Sequence, residues 1–426
     1  MQRRGFLVRT AGLLGGASLH TAMAESSSGP GGAPEPPPAA DEEAFWSLVR
    51  ERFPLTRERI YLNTAGLGPS PRAVIDAVHR KTMELEEISE TGHTQEVWQA
   101  IKERGARLFG CDPEELAYTR NTTEGVNIVC NGLPLGAGDE VITSTHEHVG
   151  NTISWIARAR RDGIRMRVFE PAVQSAAETL DRIARLITPR TRAISISHVT
   201  TTTGQVLPVK EIGRLAARHG LWYFIDGAQS AGQLVLDVRG IGCHAYATSG
   251  HKWLLGPKGT GLLYVRSDAV DTIQARWVGA WSNEGAFDMA TGEFAFHPSA
   301  QRYEYGTVSA PLFHGLDAAM EFLLDLGLER VWQRDQDLGR RLMAGLQEAG
   351  AEVLSPLQPG EHSAIVTFRL KGMPRAELQE RLAREHRIRS RGIYEGGLEA
   401  VRVSPHVFSL ADDVDRVIEA VRQLRG

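Results

Sequence analysis

The residues best placed to do chemistry lie in two short runs. Ala247-Thr248-Ser249-Gly250-His251-Lys252-Trp253 sets a lysine in a compact stretch of small residues. An amine forms an imine with a carbonyl cofactor only when it is held still and partly desolvated. Upstream, Trp222-Tyr223-Phe224-Ile225-Asp226-Gly227-Ala228-Gln229 is an apolar strand that ends abruptly in a carboxylate. In parallel α/β sheets, ligands bind outside the carboxyl ends of the strands. A carboxylate there keeps a pyridine nitrogen protonated by charge pairing, and the protonated ring withdraws electrons from a substrate carbanion. Singly, Asp226 reads as a helix N-cap and Lys252 as a surface lysine. In this order, one strand and a turn apart, they point to pyridoxal 5'-phosphate (PLP) held as a Schiff base on Lys252.

A phosphate needs donors, and Asn121-Thr122-Thr123-Glu124-Gly125 supplies them. Thr122 and Thr123 open a helix, so hydroxyls and backbone N–H groups both face an anion. Further on, Glu147-His148, Asp226 to Gln229, Ser249 to Lys252 and Gly306-Thr307 complete a set. From about Tyr61 to the C-terminus this set resembles the class V aminotransferase family of fold-type I PLP enzymes. That family includes cysteine desulfurases, isopenicillin N epimerase-like proteins, kynureninases and aminotransferases. The resemblance implies Lys252 as Schiff-base lysine, Asp226 on the ring nitrogen, His148 stacked on the ring face and Gln229 on the phenolic oxygen. Ser249 and His251 would close the phosphate cradle. Thr307 would reach the phosphate of a neighbouring subunit, which implies a homodimer with shared active sites. Arg402, in Ala400-Val401-Arg402-Val403-Ser404, matches the arginine that grips the substrate α-carboxylate, a task suited to a guanidinium fork.

The elements that must position these groups follow from the pattern of the chain. Apolar runs at Glu140–Thr143, Ala193–Ser197, Leu221–Ile225 and Gly261–Val265 alternate with helical stretches such as Asp181–Ile187 and Val209–His219. Such alternation predicts an α/β fold with a mostly parallel sheet covered on both faces. Beyond Pro311 come long helices (Leu312–Leu324, Arg330–Ala349), two strand-like stretches (Ala364–Leu370, Ala400–Ser404) and a last helix from Asp412 to Leu424. This reads as a small α+β domain. The expected division is therefore a large PLP-binding domain over 61–311 and a small C-terminal domain over 312–426. Residues 41–60 would pack with the small domain.

At 426 residues, two lobes are expected. Composition is ordinary: 42% hydrophobic, 23% charged and a net charge of −4. No basic block stands out, which argues against nucleic acid, and no run of roughly 18 apolar residues predicts a membrane span. Residues 1–24 read as an export signal. Arg3-Arg4-Gly5-Phe6-Leu7 is a twin-arginine pattern, a weakly apolar stretch follows, and Ala22-Met23-Ala24 offers a cleavage site. Gln2 departs from the usual Ser or Thr before the pair. The expectation is periplasmic location after folded export by the twin-arginine machinery. Residues 25–40, rich in Ser, Gly and Pro, read as a linker. Three cysteines (Cys111, Cys130, Cys243) make no disulfide framework; buried free thiols are expected, with one bridge left open as the alternative.

Two departures narrow the reaction. Desulfurases carry a cysteine on a loop shortly before the carboxylate-binding arginine, and Arg389 to Glu399 contains none. Cys243, expected beside the lysine loop, is the last cysteine in the chain. Thiolate attack on a substrate sulfur lacks its nucleophile, so a desulfurase is not expected. In His198-Val199-Thr200-Thr201-Thr202-Thr203-Gly204, Thr201 stands where desulfurases carry a cofactor-touching asparagine, and looks more like the epimerase-like branch. His244 stands where an acid is frequent in the family. The reading is an enzyme acting at the α-amino group of an amino acid or peptide-borne amino acid, by transamination or related deamination. Epimerisation and C–S or β-lysis are the alternatives, and a catalytically silent PLP-fold binding protein is the rival from another class. A periplasmic group resembling this chain tailors the siderophore pyoverdine, so a siderophore-borne amino acid is included among the substrates.

Overall fold

The computed structural model describes residues 42–92 and 94–425. The signal and linker assigned to 1–24 and 25–40 lie outside the described residues. Three helices lead the chain: α1 (Glu42–Glu51), α2 (Arg72–Ile88) and α3 (Gln95–Phe109). Strand and helix then alternate through β1 (Leu116–Thr119), α4 (Thr122–Gly132), β2 (Glu140–Ser144), α5 (Val149–Asp162) and β3 (Arg165–Phe169). The series continues with α6 (Ala176–Leu186), β4 (Thr191–Ser197), α7 (Val209–Arg218), β5 (Trp222–Asp226), β6 (Ala245–Ser249) and β7 (Gly261–Val265).

These seven strands form one sheet in the order β1-β7-β6-β5-β4-β2-β3, and β7 alone runs against the others. β6 and β7 are buried along their whole length, and β5 at all but its first residue, as expected where helices cover both faces. β3 is the exception. It is an edge strand whose Arg165 and Arg167 keep it charged, a common protection against edge-to-edge pairing. The architecture is the expected α/β one, with a mostly parallel sheet. Every parallel strand ends on the same side, which gathers Thr122, His148, Thr201, Asp226 and Ser249 at one rim.

The second unit follows α8 (Ala310–Leu326) and α9 (Leu328–Glu348). It comprises β8 (Glu352–Val353), β9 (Val366–Arg369), α10 (Arg375–Arg384), β10 (Arg391–Ile393), β11 (Ala400–Val403) and α11 (Ala411–Arg425). Its strands form an antiparallel sheet in the order β8-β9-β11-β10, and its core joins Leu338, Leu342, Phe368, Val401 and Val417.

The boundary expected at 311/312 is corrected by the packing. Phe313, Leu316, Met320 and Leu323 of α8 share the large core with Leu116, Tyr118 and Leu262, and α8 lies along α2 and α3. The helix is apolar on more than one face, so it serves as an inner element rather than as the first helix of a lid. At the other end, Ile60 and Leu62 belong to the small core, where Ile60 pairs with Ile388. Helix α1 lies across the seam instead of on the small unit alone. Its Phe45, Trp46 and Val49 join the large core, while Glu43 pairs with Arg334 and Arg50 with Asp413. Among the described residues no helix is long and apolar enough to cross a membrane.

Candidate active site

Lys252 sits in the turn that leaves β6. Gly250 N donates to Thr260 O at 2.8 Å, Gly256 N to Gly250 O at 2.7 Å, and Gly68 N to His251 O at 2.7 Å. The approach at Gly68 is too close for a side chain, since a Cβ there would lie 1.9 Å from the Lys252 carbonyl oxygen. The lysine side chain is buried. Burial lowers its pKa to about 8, opposed by Asp226 and reinforced by Arg402 and Arg391. Asp226 ends β5, which pairs directly with β6 through Asp226↔Ala247. Burial raises its pKa, against one hydrogen bond from Ala228 N (3.0 Å) and the charge of Lys252. That is the bond at one carboxylate oxygen, and the other is open to a protonated ring nitrogen.

The phosphate cradle is built across two elements. Asn121 caps α4 by accepting from Glu124 N at 3.0 Å. Thr122 N donates to Ser249 Oγ at 2.9 Å, and the two hydroxyls lie 2.7 Å apart. The anion-binding start of a helix is thereby joined to the lysine strand. Thr123 lies beside α5, and a Cβ on Gly150 would fall 2.5 Å from its hydroxyl and 3.2 Å from His148 Nδ1. His148 is itself the N-cap of α5, its Nδ1 accepting from Gly150 N at 3.1 Å. That bond leaves the ring proton on Nε2. Burial, then the charges of Lys252 and Arg391, lower the His148 pKa to about 4, so the ring is neutral. The His251 ring is also held neutral, near 4, by burial and Lys252. No hydrogen bond among the described residues joins it to the Thr122–Ser249 pair. Thr307 is exposed and likewise not bonded to the cradle of its own chain.

Gln229 differs from its expected role. Its Oε1 accepts from the Trp253 indole at 2.8 Å, a donor-only group that fixes the amide orientation. Its Nε2 then donates to Ala65 O (2.9 Å) and Thr201 Oγ1 (3.1 Å). Both N–H groups are committed, so none remains for a phenolic oxygen. Thr201 Oγ1 also accepts from Arg402 Nη1 at 2.8 Å. With two donors to accept, the Thr201 hydroxyl is left to donate its own proton elsewhere.

Arg402 is fully buried. Its Nη1 also reaches Thr201 O (2.7 Å), its Nη2 lies 3.5 Å from Asn63 Oδ1, and its Nε has no partner. Burial and the neighbouring Arg391 lower its pKa to about 9. An unpaired N–H on a buried guanidinium is costly, and a substrate carboxylate would satisfy it.

Two features escaped the sequence, and a third, Glu147, entered it only as part of the Glu147-His148 match. Arg391 and Glu395 face Arg402, Lys252 and His148, although the loop carrying them drew notice only for lacking cysteine. Glu147 is a buried acid that accepts from Ser144 (2.5 Å), Ser197 (2.7 Å) and Asn151 (2.9 Å). Burial still raises its pKa to about 7. His406, four residues past Arg402, points Nδ1 at Asp335 (3.0 Å) and Nε2 at Trp253 O (3.1 Å), which ties the small unit to the residue after Lys252.

Two other expectations are settled here. Cys243 lies at the opposite end of β6 from Lys252, its Sγ 3.8 Å from Val238 O, and not beside the lysine loop. His244 is structural: it accepts from Tyr223 N at 3.0 Å and stacks on Trp222. All three cysteines are free thiols, Cys130 and Cys243 buried as expected and Cys111 only partly so.

A buried lysine of lowered pKa, a carboxylate with an open oxygen and a helix start joined to the lysine strand fit a phosphorylated pyridine aldehyde. Residues 60–417 match the family Aminotransferase class-V. The chain belongs to that family. Its cofactor is pyridoxal 5'-phosphate. Among its relatives, isopenicillin N epimerase of Streptomyces clavuligerus is 32% identical over 90% of this chain and 99% of that protein. A cysteine desulfurase of Klebsiella pneumoniae subsp. pneumoniae is 31% identical over 76% of this chain and 82% of that protein. The structure of the cystine C-S lyase C-DES with its product cysteine persulfide superposes with a TM-score of 0.79 at 29% identity. It covers 87% of this chain and 99% of that one.

Proposed function

We propose that this class V PLP enzyme removes or transfers the α-amino group of an amino acid, free or carried on a peptide or siderophore, in the periplasm. Bound PLP supplies an electron-withdrawing ring that acidifies the substrate α-C–H. Arg402 takes the α-carboxylate with the N–H groups it leaves unpaired, and Thr201 donates to the cofactor oxygen. Asp226 keeps the ring nitrogen protonated. Lys252, with a pKa near 8, is basic enough to take the α-proton and acidic enough to return it.

The observation that carries the choice of reaction is the state of His148. Inverting the α-carbon needs a proton donor on the face opposite Lys252. His148, which the family resemblance sets on that face, is neutral and spends Nδ1 on the cap of α5. One lysine working on one face supports amino-group transfer. Epimerisation is the second reading, favoured by two relatives, 32% and 31% identical, that are isopenicillin N epimerases. Desulfuration is disfavoured because the loop at 389–399 carries no cysteine and burial raises all three thiol pKa values.

The test is a spectral titration of the purified holoenzyme with amino acids, followed by mass spectrometry and chiral analysis. Keto product with pyridoxamine phosphate left on the enzyme supports transfer. Unchanged mass with inverted chirality contradicts it and supports epimerisation. Periplasmic location through the twin-arginine signal and a homodimer sharing Thr307 between sites belong to the same proposal. Cell fractionation of the Arg3→Lys/Arg4→Lys variant and light scattering test these two parts.

A further inference from the structure

β10 and β11 set Arg391 directly opposite Arg402. Facing residues of an antiparallel pair share one side of the sheet, about 4.5–5.5 Å apart at Cα. On that side Thr367, the partner of Arg402 in β9, bonds Thr202 O at 2.6 Å. The row Thr367–Arg402–Arg391 therefore looks onto the cofactor rim. Like charges set opposite each other in a sheet repel, and here two guanidiniums do so beside a buried lysine.

Compensation is incomplete. Arg391 Nη2 binds Glu395 in the turn Glu395–Gly397, but its Nη1 is buried without a partner. Beneath the same turn His146 Nδ1 is also buried and unpartnered, and a Cβ on Gly396 would lie 3.8 Å from the other nitrogen of that ring. A substrate α-carboxylate satisfies Arg402 and leaves Arg391 Nη1 as it was. A neutral carbonyl would fill that hydrogen bond, and a second carboxylate would fill it as the stronger, charge-assisted bond.

We infer that Arg391 is the specificity residue for a second, side-chain carboxylate, so that the preferred substrates are dicarboxylic amino acids. The inference rests on the amino-acid reading above and deepens it. Glu395 then acts as an internal competitor for the same guanidinium. Hydrogen bonds to a charged group are about twice as strong as neutral ones, so a carboxylate side chain should bind about tenfold tighter than its amide.

The test is titration of the visible band of the holoenzyme with L-glutamate, L-glutamine and L-alanine, with calorimetry of glutarate and butyrate as unreactive probes. Wild type should bind glutamate about tenfold tighter than glutamine, and glutarate tighter than butyrate. Arg391→Ala should bring both ratios close to one. Should that variant not fold, Arg391→Lys should narrow the ratios and Glu395→Gln should widen them. Equal affinity for glutamate and glutamine in wild type, or a preference surviving in Arg391→Ala, overturns the inference alone. A band that no amino acid moves, alanine included, overturns the amino-acid reading and the inference with it.

Discussion

Replacing Asp335 by Asn should destabilise the protein far more than replacing an exposed acid. Asp335 on α9 and His406 after β11 are both completely buried. His406 Nδ1 lies 3.1 and 3.0 Å from the two carboxylate oxygens, and Nε2 lies 3.1 Å from the Trp253 carbonyl. Both ring nitrogens face acceptors in the interior, one a carboxylate and one a carbonyl. Asp335→Asn replaces the carboxylate facing a fully buried ring by an amide, and a buried ring left poorly partnered costs about 1–3 kcal/mol. Removing the ring as well (Asp335→Asn/His406→Ala) takes the poorly partnered group away, so the double variant should cost less than the sum of the two single ones by about 1 kcal/mol. The assay is urea unfolding followed by tryptophan fluorescence, scored on the first transition because two units of this size need not unfold together. An Asp335→Asn shift under about 0.5 kcal/mol, or additive single effects, would refute the reasoning.

Three further outcomes follow from the same geometry. Lys252, lowered to about 8 by burial, is neutral only above that pH. Uptake of PLP by stripped protein should therefore rise with pH and reach half its maximum near 8, and a midpoint near 10 in stopped-flow reconstitution would contradict this. Glu147, raised to about 7 by burial, binds its proton more tightly in the folded state. Its contribution is fully present below the ordinary carboxylate range and is lost as pH rises through 7, up to about 3 kcal/mol. Denaturation at pH 5 and pH 8 should show a fall in wild type that is smaller in Glu147→Gln. Gly68→Ala must displace the Lys252 carbonyl, at about 1–3 kcal/mol. PLP affinity, measured by fluorescence quenching, should drop about tenfold or more, and unchanged affinity would remove the loop from the account.

What could be read from the sequence was what is local. The strand ending in Asp226 and the small-residue turn at Lys252 declare themselves because strand burial and turn chemistry act over a few residues. Arg391 did not, because its meaning comes from standing opposite Arg402 across two antiparallel strands, a register that periodicity alone does not fix. His406 and Asp335 are 71 residues apart and carry no motif. Gln229 was assigned by resemblance to the cofactor oxygen. Only the position of Trp253 reveals that its amide is spent on Ala65 and Thr201. Helix α8 was drawn into the small lobe because composition changes near Pro311, whereas packing against α2 and α3 decides where it belongs.

The most direct measurement is reduction of the holoenzyme with borohydride, proteolysis and mass spectrometry of the tagged peptide. A phosphopyridoxyl group should appear on Lys252 alone and be absent from the Lys252→Ala protein. Its appearance on another lysine, or its persistence in that variant, would rule out Lys252 as the Schiff-base residue.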